Sequence, residues 1–283
     1  MQSADANRQL LVHYWCDYGS QTIDFTLAQA ALHDAIPNSS IIYSSLVMEP
    51  GNLREQAIIL KQFKDAFPPN TIHICHVSIN STEPPRYVVV KYADSYFLGP
   101  ANDFMQLGFE LDSLEYFIIP NDGTNKWNTL REIYIKAALT ILNNPNKSLS
   151  ELFKPKQHMR KPMWIQPIVK ANNMRLSCMY VDLHGNCYFN ISKDKFEEYR
   201  KNRKVRVRTQ MATINGIMND YNDMPEGRLV ALFGHGGLFQ LAQNSGNCSK
   251  NMGIYEDHTI LIEFYEEEKY TPLGENALSK EQS

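Results

Sequence analysis

The sequence lacks the features that mark membrane, disulfide-rich or nucleic-acid-binding proteins. Five cysteines are scattered over 283 residues with no C-x-x-C pair, which argues for reduced thiols and against a disulfide framework. No apolar run approaches the ~20 residues that a membrane span needs, and the polar segment 1–9 has no signal-peptide pattern. The formal net charge of -3 indicates no polyanion partner. We therefore expect a cytoplasmic protein that binds neither membranes nor nucleic acids.

Hydrophobic patterning predicts two domains of different class. Residues 8–145 alternate strand-like runs with helical spacing, which is typical of an α/β domain with a mostly parallel central sheet. The breaker-rich, basic stretch 146–163 is interpreted as a linker. Residues 164–268 contain short strand-like runs separated by turn signals, which predicts a smaller all-β domain, a barrel or a sandwich. The polar tail 269–283 is expected to be loose.

The first strand-like run ends in a carboxylate. Asp17 follows the apolar segment Leu10–Cys16, and a glycine turn leads from it into a helical pattern. In open α/β sheets, ligands bind at this end of the strands. A carboxylate there would repel a phosphate but could accept a hydrogen bond from each hydroxyl of a ribose. The alternative is that Asp17 caps the following helix, although Thr22 could also do so.

The helix after Asp17 has a periodic apolar pattern. Ile23, Leu27, Ala30 and Ala31 share one face, which is predicted to be buried. Asp24 lies in the first turn, where a negative charge suits the helix dipole.

The most informative C-terminal stretch is a second strand that ends in a carboxylate. Asp182 closes this strand, Gly185 forms a turn and Asn186 follows. A carboxylate can accept from an ammonium group, and an amide can both donate to and accept from a purine edge. The alternative is an Asx-type turn that merely joins two strands.

Three further motifs are interpreted as structural. His73 and His76 are three residues apart in a predicted strand and therefore point to opposite faces, so no metal site is predicted. Gly234–Gly237 imitates a dinucleotide fingerprint but lacks the third glycine and the following helix, which favours a glycine-rich hairpin. The basic run Lys201–Arg208 alternates arginine with valine, which indicates a solvated or subunit-interface strand.

Taken in order, these features resemble the S-adenosyl-L-methionine hydroxide adenosyltransferases, whose relatives include the fluorinase and the chlorinase. The similar segments are Cys16–Gly19 for the family's T-D-F-G, Ala66–His73 for the segment before its third strand, Pro100–Asp103 for P-D-N-G, Thr129–Tyr134 for H-G-R-D-I-F, Asp182–Ile191 for D-x-F-G-N-x-x-T-N-I, and Gly237–Asn244 for G-x-L-x-x-A-x-N. The resemblance extends from about Leu10 to about Phe264.

This resemblance implies an α/β domain followed by a β domain, in a homotrimer whose ligand site lies between subunits. S-adenosylmethionine (SAM) would be a substrate or ligand, with no separate cofactor. Asp17 would hold the ribose hydroxyls, Asp182 the methionine ammonium and Asn186 the adenine edge. The implied substrate-binding set is Asp17, Asp24, Ser81, Asp182, Asn186 and Tyr188.

The implied reaction is attack of water or hydroxide at the ribose C5′ of SAM, which gives adenosine and methionine. The sulfonium is already a good leaving group, so no metal is required. The family's water-holding Asp, Arg and His correspond here to Ser78, Arg86 and Thr129, and hydroxyls are much weaker bases than a carboxylate or an imidazole. Three hypotheses follow: a SAM-cleaving enzyme, an adenosine- or SAM-binding trimer without turnover, and a structural protein with an empty cleft.

Overall fold

The computed structural model describes residues 11–45, 48–77, 86–109, 114–121, 129–156 and 166–266. The chain divides into two compact units, Met1–Trp164 and Ile165–Ser283. The stretch expected to be a linker, 146–163, contains a short helix and a strand, both within the first unit. The expected loose tail, 269–283, lies outside the described residues.

The first unit contains a mixed, mostly parallel sheet of seven strands in the order β2-β1-β3-β5-β4-β6-β7. These strands are β1 Leu11–Cys16, β2 Ser40–Ser45, β3 Ile72–His76, β4 Tyr87–Tyr92, β5 Ser95–Pro100, β6 Tyr116–Ile119 and β7 Lys154–Lys156. The predicted α/β class is confirmed. β4 runs antiparallel to β5 because only Ala93 and Asp94 join them, which is too short for a parallel crossover.

Helices cover both faces of this sheet. They are α1 Ile23–Ala35, α2 Leu53–Phe63, α3 Asp103–Phe109, α4 Lys136–Leu142 and α5 Leu149–Leu152, with a π-helical turn at Leu130–Ile135 directly before α4. Because strand side chains alternate, Tyr14 and Cys16 of β1 enter the core beneath α1 and α4. Trp15 enters the other core, which α2 and α3 cover.

The prediction of which α1 residues are buried is wrong except at Ala31. The residues that α1 buries are Phe25, Ala28, Ala31 and Leu32, whereas Ile23 and Leu27 are 69% and 58% exposed. The helix carries two apolar stripes, and the stripe with the phenylalanine faces the sheet. Periodicity detects both stripes but does not say which one the sheet covers.

The second unit is an antiparallel, nearly barrel-closed sheet, so the predicted all-β class is confirmed. Its strand path is β12-β11-β15-β9-β10-β14-β13, and β8 pairs with β9. The strands are β8 Ile168–Lys170, β9 Asn173–Val181, β10 Cys187–Ser192, β11 Lys204–Arg208, β12 Thr213–Asn215, β13 Leu229–Phe233, β14 Leu238–Gln243 and β15 Thr259–Tyr265. A bridge between Met218, just after β12, and Leu232 of β13 links the two ends of the path.

Two short helices in this unit were not predicted. α6, Lys193–Arg200, buries only Phe196, and α7, Cys248–Met252, is five residues long. Such short segments give little periodic signal. Among the described residues, no helix has the length and apolar character needed to cross a membrane.

Candidate functional site

The carboxyl end of β1 places Asp17 at the edge of the first sheet. Asp17 is 8% exposed, and its Oδ2 accepts a hydrogen bond from Gln56 Nε2 of α2 at 3.1 Å. Thr22 is the N-cap of α1, and its Oγ1 accepts from the Phe25 amide at 3.3 Å. The alternative in which Asp17 caps α1 is therefore wrong. A buried carboxylate is costly, and helix capping does not explain this one.

The segment 129–135 contributes two buried hydroxyl groups, those of Thr129 and Tyr134, and Tyr134 lies near Asp17. Thr129 is buried, and its Oγ1 lies 3.4 Å from Tyr87 Oη. Tyr134, on the π-helical turn, is fully buried, and its hydroxyl has no hydrogen-bond partner in the described part of the chain. Burial raises the pKa of Tyr134 well above its usual value, and the charges of Tyr87 and Asp17 add to that effect. These phenols are therefore neutral donors near neutral pH, and π-helical turns often mark functional sites.

The other predicted site residues of the first unit occupy different surroundings. Arg86 directly precedes β4 and is exposed, and its carbonyl accepts from the Ala101 amide at 2.7 Å. Asp24 is exposed in the first turn of α1. Ser78 and Ser81 lie outside the described residues. Of the predicted set, Asp17 lies near Tyr134 and Thr129 contacts Tyr87, and the rings of these two tyrosines are 5.4 Å apart.

Sequence reasoning missed a phenol–imidazole cluster formed by Tyr14, Tyr18 and His76. Tyr14 Oη lies 2.7 Å and Tyr18 Oη 3.2 Å from His76 Nδ1, and the two hydroxyls contact each other. Tyr134 packs its ring edge-on against the imidazole, with centroids 5.6 Å apart. The available signal was the alternation of β1, which places Tyr14 on the α1 face, but the pairing of β1 with β3 is not visible in the sequence.

Burial determines the protonation states in this cluster. It lowers the pKa of His76 from 6.5 to about 3, so the imidazole is neutral near pH 7. It raises the pKa values of Tyr14 and Tyr18, so both phenols keep their protons. The cluster therefore has two phenolic protons and an imidazole nitrogen that can accept one of them.

In the second unit, Asp182 and Asn186 form a tight hydrogen-bonded turn between β9 and β10. Asp182 Oδ1 accepts from the His184 and Asn186 amides, each at 2.9 Å. Its Oδ2 accepts from Asn186 Nδ2 at 2.9 Å and from Tyr188 Oη at 3.3 Å. Tyr188 is buried and stacks on Tyr180, with ring centroids 5.5 Å apart. The Asx-type turn is thus present, and it fixes the orientation of both predicted ligand-binding side chains.

The two histidines of β3 point to opposite faces of the sheet, as predicted. His73 stacks on Phe97, with ring centroids 4.2 Å apart, and its Nδ1 lies 2.9 Å from His13 Nδ1, whereas His76 belongs to the cluster with Tyr14. Within the described ranges, no group of three or more histidine, cysteine, aspartate or glutamate side chains could hold a metal ion.

The glycine-rich motif lies in a hairpin connection and the basic run continues into a strand, as predicted. Residues 234–237 connect the antiparallel strands β13 and β14 through a short 3₁₀ turn. β11 buries Val205 and Val207, while Arg206 and Arg208 lie on the other face beside Glu263 of β15. The charged face of β11 is therefore paired within its own sheet.

Comparison with known proteins connects this architecture to one family. The model described as the SAM hydroxide adenosyltransferase N-terminal domain matches residues 12–153, and that of the C-terminal domain matches residues 176–261. No curated protein matches the chain.

Two solved structures share the fold. An uncharacterized conserved protein from Thermotoga maritima is 22% identical with a TM-score of 0.75, over 89% of this chain and 99% of the other. A conserved hypothetical protein from Thermus thermophilus is 18% identical with a TM-score of 0.67, over 90% of this chain and 100% of the other. At these identities the likeness establishes the fold alone.

Proposed function

Because the chain belongs to the SAM hydroxide adenosyltransferase family, we propose that it binds SAM and cleaves it to adenosine and methionine. The observation that supports binding most strongly is Asp17, a buried carboxylate at a strand end whose position capping does not explain. Gln56 orients one of its oxygens. A carboxylate in this position can accept a hydrogen bond from each of the two ribose hydroxyls.

The turn at Asp182 is proposed to bind the remaining polar parts of the ligand. Asn186 uses its Nδ2 on Asp182, and this bond orients its Oδ1 as an acceptor for an adenine amino group. Asp182 is half-buried and has a negative charge to offer the methionine ammonium. Tyr188, whose hydroxyl donates to the same carboxylate, holds that charge in place. Asp24 and Ser81 complete the proposed substrate-binding set.

The proposed chemistry is an in-line displacement at C5′. A bond forms between the water oxygen and C5′ while the C5′–S bond breaks, and its electron pair goes to sulfur as methionine leaves. The protein must position the water opposite sulfur and limit access of bulk solvent. Arg86, Ser78 and Thr129 are proposed to hold the water, by their correspondence to the family's water-holding residues, and the Thr129 hydroxyl contacts Tyr87.

A second candidate function is a SAM- or adenosine-binding protein without turnover. Thr129 favours it, because a buried hydroxyl that contacts a phenol does not accept a proton as an imidazole would. The same Asp17 and Asp182 sites would then serve binding alone.

We also propose that the protein is a cytoplasmic homotrimer. All five cysteines are free and buried, which suits a reducing compartment. Ile23 and Leu27 form an exposed apolar stripe on α1, and paired exposed apolar side chains on one helix face are typical of contact surfaces.

One assay tests binding and cleavage together. The purified protein is incubated with SAM, adenosine is quantified by chromatography, and the dissociation constant is measured by calorimetry. We expect adenosine above the uncatalysed background and saturable binding. Binding without adenosine would leave the second candidate function, and no binding of SAM, adenosine or methionine would contradict both.

The first prediction concerns Asp17→Asn, which keeps the side-chain shape but removes the charge. A hydrogen bond to a charged group contributes about 1.5–3 kcal/mol, so we expect SAM and adenosine binding to weaken by about 10- to 100-fold. The matched control is Asp34→Asn, at an exposed carboxylate that forms an ion pair with Arg131 at 3.4 Å. Unchanged affinity of Asp17→Asn would show that this carboxylate does not touch the ribose.

A further inference from the structure

The phenol–imidazole cluster of Tyr14, Tyr18 and His76, with the adjacent Tyr134, is a polar feature of the first unit that the proposed function does not use. It lies at the same sheet edge as Asp17: Tyr18 follows Asp17 directly, and His76 is the last residue of β3. Its hydroxyls are sequestered, since Tyr14 and Tyr134 are both fully buried. Three phenols around one imidazole are more than the packing of a core requires.

The distances indicate the order in which the hydroxyls of this cluster donate their hydrogen bonds. Tyr14 Oη is the hydroxyl closer to His76 Nδ1, at 2.7 Å against 3.2 Å for Tyr18 Oη. When Nδ1 is the unprotonated nitrogen of the neutral imidazole, Tyr14 donates to it and Tyr18 donates to the Tyr14 oxygen that it contacts. Both phenolic protons then point toward His76. The Tyr18 oxygen also interacts with the Cys16 thiol, and one lone pair is left to accept a hydrogen bond at the half-buried end of the chain.

Tyr134 supplies the complementary group. Its hydroxyl is buried with no hydrogen-bond partner in the described residues, although its ring contacts that of His76. A buried hydroxyl without a partner costs about 1–3 kcal/mol, so such a group usually has an occupant such as a water molecule. Tyr18 and Tyr134 both stand where the family motifs quoted above have phenylalanine, so these two hydroxyls are departures of this chain from that pattern.

We propose that the Tyr18 oxygen and the Tyr134 hydroxyl bind a water molecule beside Asp17, and that Tyr14 and His76 position Tyr18 for this purpose. The proposal rests on the proposed function, because the bound water is the nucleophile that attacks C5′ of SAM. The chain from Tyr18 through Tyr14 links this water to the His76 imidazole, whereas Ser78 and Thr129 offer only hydroxyl groups.

The proton balance of the step is complete within the cluster. The water oxygen bonds to C5′ as the C5′–S bond breaks and its electron pair goes to sulfur. The water proton passes to the Tyr18 oxygen, the Tyr18 proton to Tyr14, and the Tyr14 proton to His76 Nδ1. The imidazolium that results then releases a proton to solvent, since burial disfavours its charged form.

The second prediction is that the cluster affects turnover more than binding. We expect Tyr18→Phe and His76→Leu to lower kcat by about 100-fold or more, with KM and the dissociation constant of adenosine nearly unchanged. His76→Asn, which retains an acceptor near the Nδ1 position, recovers part of kcat. Tyr116→Phe is the control, because its hydroxyl is also buried without a partner among the described residues but lies in the core on the other sheet face. A Tyr18→Phe enzyme with wild-type kcat would overturn the role in turnover.

A high-resolution crystal structure of the unliganded wild-type protein tests the water site whether or not SAM is cleaved. An ordered water within hydrogen-bond distance of both Tyr18 Oη and Tyr134 Oη supports the proposal, and the absence of such a shared water overturns it. A protein that holds this water but neither binds nor cleaves SAM would contradict the proposed function and leave the water site standing.

Discussion

At the scale of single residues, the interior of the first unit contains an unusual pair of histidines. His13 of β1 and His73 of β3 are both buried, and their Nδ1 atoms are 2.9 Å apart. His13 also lies between the ring of Phe67, stacked at 4.3 Å, and the hydroxyl of Ser44 at 2.9 Å. Only one of the two Nδ1 atoms can carry the shared proton, so a second proton would break the bond.

The third prediction is that this pair makes the fold sensitive to acid. Burial lowers the pKa of His13 to about 4 and that of His73 to about 2, both below the usual 6.5. Above pH 6.5 neither the folded nor the unfolded state carries these protons, and stability is greatest. Below that value only the unfolded chain takes them up. The free energy of unfolding then falls by up to about 1.4 kcal/mol per pH unit for each histidine.

Urea unfolding at about pH 7 and about pH 5, at fixed protein concentration, measures this loss. The His13→Leu/His73→Leu variant should show a smaller difference between the two pH values, with His76 accounting for most of what remains. His33→Gln, at an exposed histidine, should keep the wild-type difference. Equal pH dependence in the wild type and the double variant would contradict the prediction.

Among the proposed site residues, those at strand ends can be recognised from the local sequence. Asp17 and Asp182 each follow an apolar run and precede a glycine turn, which is a local signal. Tyr14, Tyr18 and His76 were not found because their contact depends on β1 pairing with β3, 60 residues away in the chain. His76 was weighed only as a metal ligand, since no local pattern indicates which side chains lie across a sheet.

At the scale of elements, the turn between β9 and β10 depends on one glycine. Gly185 has φ of +80°, and a Cβ there would overlap the side chain of Asn247. Asn247 caps α7, because its Oδ1 accepts from the Lys250 amide at 2.8 Å. The turn that orients Asp182 is therefore coupled by packing to the start of another element.

The fourth prediction compares two glycines with the same backbone conformation. Gly185→Ala should destabilise the protein by about 1–2 kcal/mol through backbone strain, with a further loss from the overlap with Asn247, and should weaken adenosine binding. Gly216 has a φ of +87° but open space around it. The Gly216→Ala variant should therefore show the backbone strain alone and bind adenosine normally. Thermal unfolding and calorimetry separate the two effects, and identical behaviour of the variants would refute the packing argument.

Helices and strands with a strong local sequence pattern were predicted, and those with a weak pattern were missed. β11 was predicted correctly because its arginines and valines alternate across a sheet with one buried face. α6 was missed because Phe196 is its only buried side chain. The π-helical turn gives no distinct local signal, since its slightly wider turn hardly changes the spacing of apolar residues.

At the scale of the whole molecule, the classes of the two units were predictable and their interactions with other chains remain proposals. Alternating strands and helices specify a mostly parallel sheet, and consecutive short strands specify an antiparallel one. Self-association depends on surfaces, and periodicity assigned Ile23 and Leu27 to the core although both are exposed. Their exposure supports a contact surface on α1, and the number of subunits is proposed from the family resemblance.

The fifth prediction is that this α1 stripe lies in the trimer contact. The wild type should elute with three times the mass of one chain in size-exclusion chromatography with light scattering. Leu27→Asp should shift the protein toward monomer, because a carboxylate cannot be buried there without a partner. Met211→Asp, at a 69% exposed side chain in the second unit, should remain trimeric. A wild-type monomer would contradict the proposal, and a Leu27→Asp trimer would exclude this stripe from the contact.

The five buried thiols give each unit its own reporters of local opening. Cys16 and Cys75 lie in the two cores on opposite faces of the first sheet, and Cys178, Cys187 and Cys248 lie in the core of the second unit. A buried thiol reacts with an alkylating reagent only after the structure around it opens. The labelling rate at each cysteine therefore measures the opening free energy of its own core, and mass spectrometry can read all five from one unmodified chain.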